Sequence, residues 1–317
     1  MSGCTLCPRS CNVDRAEKAG FCGVFGASDR VRAAKAMLHF GEEPPISGEK
    51  GSGAVFFSGC TMGCVFCQNY RISTAGCRKV FAQGAAWTPH RQSEHISSNV
   101  HGKEITVQRL ADVFLELQEK GAHNINLVTG SHYVPQIIKA LDLAKPGLKI
   151  PVIFNCGGYE KVETLKMLEG HIDVYLPDVK YYSDELALRY SSAKNYFRTA
   201  YGALEEMLRQ TGKYRMENGI IKKGVILRHL ILPGCYKDSI ALLNALAPFR
   251  DDILISLMSQ YVPMGKAPDY PEINRRLTTF EYRKVLAECE RIGFEGYMQE
   301  RSSATDELTP DFDFSGL

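Results

Sequence analysis

The chain has 317 residues, 44% of them hydrophobic, enough to bury a large core as one barrel-sized domain or as a domain with a small extra module. Lys and Arg number 38 against 36 Asp and Glu, a formal net charge of +2, which argues against a nucleic-acid partner and leaves the basic run Arg30, Arg32 and Lys35 as a solvated face. No apolar run approaches the ~20 residues that span a bilayer, and cysteines and arginines stand where a signal peptide would carry its apolar core, so no membrane partner is expected and a cytoplasmic location is. In that reducing setting the 11 cysteines read as metal ligands or buried thiols before disulfides.

Cys4, Cys7, Cys11 and Cys22 come first, in Cys4-Thr-Leu-Cys7-Pro-Arg-Ser-Cys11 and Gly20-Phe-Cys22-Gly. A segment so short and so rich in Gly, Ser and charge has little core of its own, and a shared metal would explain how it folds. Four thiolates suit a closed zinc site or an auxiliary iron–sulfur cluster, and both remain open here. From Val24 to about Lys50 the chain reads as a connector. Pro44 and Pro45 forbid a regular helix in it; Glu42 and Glu43, close in sequence to the cluster strand, could line its mouth, but a turn with solvated acids is the preferred reading.

Residues 53–58 read as a buried strand feeding Gly59-Cys60-Thr-Met-Gly-Cys64-Val-Phe66-Cys67. Three thiolates on a tight loop make a soft metal site, and three protein ligands leave one metal position for something that is not protein. A closed zinc site would need a fourth ligand such as Cys77 or His90. Residues 72–103 have no clear periodicity and read as a lid or insertion, with His90, His95 and His101 scattered on its surface.

The remainder alternates. Strands are expected at 124–129, 150–155, 172–176, 225–232 and 253–258. Helices are expected from a Thr106 cap to Gly121, at 134–144 and 161–168, long or broken at 184–210, then at 240–246 and 278–292. Continuous apolar strands separated by helices imply a parallel sheet with right-handed crossovers, whose ligand site lies at the carboxyl ends of the strands.

Cys-x-x-x-Cys-x-x-Cys directly after an apolar strand, with Phe66 ahead of the third cysteine, resembles the signature of the radical S-adenosylmethionine enzymes. The resemblance implies an α/β fold, an open (β/α)6 partial TIM barrel with a small N-terminal cysteine-rich segment. Its divisions would be a cysteine-rich segment and connector over 1–50, a core over 51–300 and a tail over 301–317. It implies that Cys60, Cys64 and Cys67 hold three irons of a four-iron four-sulfur cluster and that S-adenosylmethionine binds the fourth.

The other strand ends are read against the same family. Thr129, Gly130 and Ser131 stand where it usually has Gly-Gly-Glu; the acid is missing, but the turn still offers carbonyls to the cofactor's ammonium. His132 and Tyr133 follow, toward substrate. Asn155, in Asn-Cys-Gly-Gly, resembles the Thr-Asn-Gly turn of the activases. Asp178-Val-Lys180 and Arg228-x-x-x-x-Pro233-Gly234 are similar to the enzymes that activate pyruvate formate-lyase. Asp178 would take an ammonium, a ribose hydroxyl or a cation, Lys180 the cofactor's carboxylate, and the buried Arg228 guanidinium an anion that the same carboxylate could supply. His229 points to the opposite face as a packing residue, and Gln260 or Tyr261 would meet the adenosyl group.

The resemblance covers about residues 50 to 300 and points to an activase subgroup with an N-terminal cysteine motif. It implies reductive cleavage of S-adenosylmethionine to a 5′-deoxyadenosyl radical, which takes hydrogen from a substrate such as a glycine of a partner protein or a peptide. A low-potential electron donor such as flavodoxin or ferredoxin is then needed. A reading of another class is an iron–sulfur electron-transfer or binding module that cleaves nothing.

Overall fold

The computed structural model describes residues 3–26, 28–73, 101–298 and 309–317. Cys77, His90 and His95, and with them most of the expected insertion, lie outside the described residues. Strands β1 (Arg30–His39), β2 (Ser52–Phe57), β3 (Lys103–Thr106), β4 (Ile125–Val128), β5 (Val152–Cys156), β6 (Val174–Pro177), β7 (Arg215–Glu217), β8 (Ile220–Leu230), β9 (Leu254–Met258) and β10 (Gly296–Met298) form one sheet. Its order is β10-β9-β8-β6-β5-β4-β2-β1-β3, with β7 hairpinned onto β8. The pairs from β2 through β4, β5, β6 and β8 to β9 are all parallel, in chain order, and the sheet stays open between its two edges. This is the α/β partial barrel expected.

Helices α2 (Val107–Glu119), α3 (Val134–Ala144), α4 (Val162–Met167), α5 (Asp184–Ser191), α6 (Tyr196–Thr211), α7 (Tyr236–Leu246) and α8 (Thr279–Ile292) make the crossovers. Sequence determines several of their ends. Thr106 accepts the Arg109 N–H at 3.1 Å, and Thr278 with Glu281 forms a reciprocal capping box. The expected helix over 184–210 is broken where Ser192 and Asn195 take left-handed backbone.

Alternation along each strand sorts residues into two cores. Val55, Phe57, Ile125, Leu127, Phe154, Tyr175, Leu227 and Ile255 pack with the helices. Ile153, Val174, Leu176, Ile226 and Leu254 face the other way, into the barrel, with Ile46 among them. Both faces are therefore covered, and the central strands β4, β5 and β6 accordingly carry no charged side chains.

Two stretches depart from expectation. Residues 24–50 are more than a connector, since β1 runs antiparallel to β2 for most of its ten residues and pairs with β3 on its other edge. Pro44 and Pro45 do not prevent a helix but begin one, α1 (Pro44–Ser47), because the first turn needs no intrahelical N–H. This turn carries Ile46 into the barrel as a plug. In the tail, residues 309–317 lie against β1: Phe314 N donates to Ala34 O at 3.0 Å and Ala36 N to Ser315 O at 3.0 Å. Phe312 packs with Phe56, Ala54 and Val128. No helix among the described residues is long and apolar enough to cross a membrane.

Candidate active site

The loop after β2 is braced from three directions. Val65 N donates to Tyr190 O at 2.8 Å at the end of α5, Lys266 N donates to Val65 O at 2.7 Å, and Gly59 N donates to Ile72 O at 2.8 Å. The sulfurs receive donors as well: Met62 N lies 3.3 Å from Cys60 Sγ and Ser191 Oγ 2.9 Å from Cys64 Sγ. Burial pushes all three thiols up, Cys67 to about 11. Without a metal the loop is therefore a set of neutral thiols, and metal binding would release their protons. Phe66 is buried edge-on to Tyr261, 5.9 Å between centroids.

Cys60, Cys64, Phe66 and Cys67 open onto a cavity of about 230 Å³ at the carboxyl ends of the strands. Thr129, Ser131, Asn155, Asp178, Lys180, Arg228 and Gln260 line it too. Gly130 does not line it; it lets the turn pass Ile137, whose Cδ1 would lie 2.6 Å from a Cβ there. Thr129 sits at φ +60 with its N–H on Asn155 O at 2.8 Å, so the ends of β4 and β5 are locked together. Tyr196 does the same for β5 and β6, its hydroxyl lying 3.0 Å from Gly157 O and 2.9 Å from Asp178 O while accepting the Lys180 N–H at 2.9 Å.

Lys180 Nζ lies 2.6 Å from Asp178 Oδ2. Burial lowers the Lys180 ammonium, but the charge and hydrogen bond of Asp178 together with the Cys64 and Cys67 sulfurs outweigh this and the net direction is up, so it stays charged. The Arg228 guanidinium meets an anion, but the protein supplies it. Nε donates to Glu43 Oε1 at 2.8 Å, and Nη2 reaches both Glu42 and Glu43. The two acids are not in a solvated turn: they line the cavity, the other reading that their place beside the cluster strand allows, and Asn126 Nδ2 donates to Glu42 at 2.8 Å. Burial raises the Glu43 carboxyl, yet the Arg228 charge and hydrogen bonds prevail and hold it low.

Other expectations change in the same way. His132 and Tyr133 do not face the cavity. His132 is fully buried with Nε2 on Ser58 O at 2.8 Å, and burial lowers its pKa to about 3. Tyr261 turns away from the cavity, its hydroxyl donating to Ile273 O at 2.9 Å. His229 is a packing residue as expected, with Nδ1 on Val179 O at 2.8 Å. Thr309 and Pro310 of the tail add to the cavity wall, a contribution no local motif announces.

Glu160 was not foreseen either. It is 2% exposed and held up at about 7, chiefly by burial and against hydrogen bonds from Ser131 and Cys156. Below the ordinary carboxylate pKa this costs nothing; as pH rises toward 7 the unfolded state ionises first and stability falls, by roughly 3 kcal/mol. Glu160→Gln should therefore gain on the wild type between pH 5 and pH 8 in urea unfolding. An equal difference at both values would contradict this.

The Radical SAM superfamily model matches residues 54–234, from β2 to the Pro-Gly after β8. The chain belongs to the radical SAM superfamily. Membership implies S-adenosylmethionine and a four-iron four-sulfur cluster, and the residues present fit both. Three thiols with N–H and O–H donors on their sulfurs suit the cluster, and the Lys180–Asp178 pair beside them suits an amino acid group. An uncharacterized protein of Methanocaldococcus jannaschii is 29% identical over 301 residues, 93% of this chain and 76% of the relative. Among solved structures, Streptococcus suis SuiB bound to S-adenosylmethionine matches with TM-score 0.44 and 10% identity over 76% of this chain and 48% of SuiB. Methylornithine synthase PylB matches with TM-score 0.48 and 13% identity over 80% of this chain and 66% of PylB. The chain spans about half the length of SuiB.

Proposed function

We propose that this radical SAM enzyme cleaves S-adenosylmethionine reductively and abstracts hydrogen from a glycine of a partner protein or peptide, as the activases of pyruvate formate-lyase do. The observation that carries the proposal is the meeting of the three-thiol loop with Asp178 and Lys180 at the rim of one cavity. When bound, the cluster and S-adenosylmethionine supply one-electron cleavage of a sulfonium carbon–sulfur bond, giving a 5′-deoxyadenosyl radical.

The chain's own tasks follow from its geometry. Cys60, Cys64 and Cys67 present three thiolates and leave one iron for the cofactor. Lys180 is the cation to meet the cofactor's carboxylate, because Arg228 is already occupied by two carboxylates, and Asp178 orients Lys180 or takes the ammonium. The Thr129 turn and Ser131 add polar contacts. The apolar layer below, closed by Ile46, excludes water from that end. The activase assignment draws support from Asp178-x-Lys180 and Arg228-x-x-x-x-Pro233-Gly234 standing at neighbouring strand ends.

Asp178→Ala and Lys180→Ala are each expected to raise the dissociation constant for S-adenosylmethionine roughly tenfold to a hundredfold at unchanged iron content, since each removes a charge-assisted contact. Equilibrium binding on the reconstituted variants checks this, and unchanged affinity in both removes the assignment. A glycine-centred radical on a partner, seen by electron paramagnetic resonance after turnover, tests the activase branch.

A further inference from the structure

The N-terminal segment is docked onto the loop it precedes. Cys60 N donates to Cys22 O at 3.3 Å, and Gly59, at φ +90, passes so close that a Cβ there would lie 2.4 Å from the same oxygen. Arg9, inside the first cysteine motif, stacks on Phe21 at 3.7 Å and donates Nε to Thr61 O at 2.9 Å and Nη2 to Ser191 O at 3.0 Å. The same Ser191 donates to Cys64 Sγ. One backbone hydrogen bond and one arginine thus join the two cysteine sets.

Within the segment the thiols are gathered. Cys4 N donates to Val13 O at 2.9 Å and Asn12 N to Cys4 O at 3.0 Å, folding the motif back on itself. Cys11 Sγ and Cys22 Sγ both lie over Gly20, 3.0 and 3.8 Å from where its Cβ would be. Arg15 lies within electrostatic reach of all four sulfurs, with Nη2 3.8 Å from Cys22 Sγ and Nη1 anchored on His132 O at 2.7 Å. Its Nε is buried with no partner, a donor beside four sulfurs that lacks an acceptor.

Spacing separates the metals. Zinc ribbons and fingers use two separate close ligand pairs, whereas here three cysteines, Cys4, Cys7 and Cys11, fall together and Cys22 stands apart. Cys4-x-x-Cys7-x-x-x-Cys11 instead places three thiols within eight residues, as Cys60-x-x-x-Cys64-x-x-Cys67 does with its two intervals in the opposite order. Neither set is closed around a single metal ion among the described residues.

We propose that Cys4, Cys7, Cys11 and Cys22 hold a second four-iron four-sulfur cluster, and that electrons reach the Cys60–Cys67 centre through it. One electron passes from a low-potential one-electron donor to the N-terminal cluster and on to its neighbour, the first reoxidised as the second is reduced, with no bond made or broken. The electron route, but not the metal site, depends on the reading of Cys60, Cys64 and Cys67 as cluster ligands.

The test uses the full chain with Cys60, Cys64 and Cys67 all replaced by Ala, reconstituted anaerobically with iron, sulfide and zinc together. About four irons, no zinc and a reduced-cluster resonance signal after dithionite are expected. Zinc in their place, or no metal, overturns the proposal. Should that variant fail to fold, the wild type decides: about eight irons per chain support the second cluster, and about four irons, with or without zinc, overturn it. Loss of the other centre alone leaves the first variant's iron unaffected, so the two readings fail separately. In Cys4→Ser/Cys7→Ser, cleavage with flavodoxin should fall at least about tenfold relative to cleavage with dithionite. An unchanged ratio overturns the electron route.

Discussion

Arg228→Ala is expected to lose about 3–5 kcal/mol of folding stability, because it strips the cation from two carboxylates buried under the barrel's polar layer. The side chains of Arg228, Glu42 and Glu43 are 12%, 9% and 4% exposed, too enclosed for water to replace the guanidinium. The sign with pH is set by Glu43. Its carboxyl is held below the ordinary value, so the wild type gains stability from it above the unfolded-state pKa of about 4.5 and loses that gain as pH falls further. The deficit of Arg228→Ala should therefore be largest at neutral pH and shrink below about pH 4.5, where protonated carboxyls need no cation. Urea unfolding of Arg228→Ala beside Arg228→Met/Glu42→Gln/Glu43→Gln checks the cause, since neutralising all three groups should recover much of the loss. A deficit under about 1 kcal/mol at pH 7 would show that water already reaches the triad.

Cys64→Ala is expected to abolish cleavage of S-adenosylmethionine. Cys64 is the most buried of the three loop cysteines, 8% exposed, and its loss leaves the cluster one protein thiolate short. The fold should survive, because the loop keeps its backbone bonds to Tyr190 and Lys266, and the Ser191 hydroxyl, on losing its sulfur partner, keeps the Tyr181 hydroxyl at 2.7 Å. Iron content and 5′-deoxyadenosine release, measured together, check it; a Cys64→Ala protein cleaving at the wild-type rate would contradict it.

Much of this architecture was legible because it is local. The buried run Gly53–Phe57, the helical repeat that follows Thr106 and the cysteine spacing are each contained in a short window, and each appears where its residues place it. What stayed hidden depends on distance along the chain. β1 is a ladder of small apolar residues among Arg30, Arg32 and Lys35, and pairing rather than pattern makes it a strand. Glu42 and Glu43 find their cation 186 and 185 residues away, so a pair that looks solvated locally becomes the anion of a buried arginine. The acid missing after β4 has a related explanation: acids do reach this cavity, from Glu42 on a segment 84 residues before Asn126. Phe312, Thr309 and Pro310 join the barrel from a tail that no repeat or motif connects to it.

The central claim is that the loop at Cys60, Cys64 and Cys67, with Asp178 and Lys180 lining the same cavity, makes this chain a reductive S-adenosylmethionine-cleaving enzyme. Anaerobic reconstitution with iron and sulfide, followed by dithionite and S-adenosylmethionine, measures it directly through the release of 5′-deoxyadenosine. Release that requires both reductant and cluster is the predicted result. A fully loaded protein that binds S-adenosylmethionine, is reduced and never releases 5′-deoxyadenosine would contradict the claim and leave an iron–sulfur binding or electron-transfer module in its place.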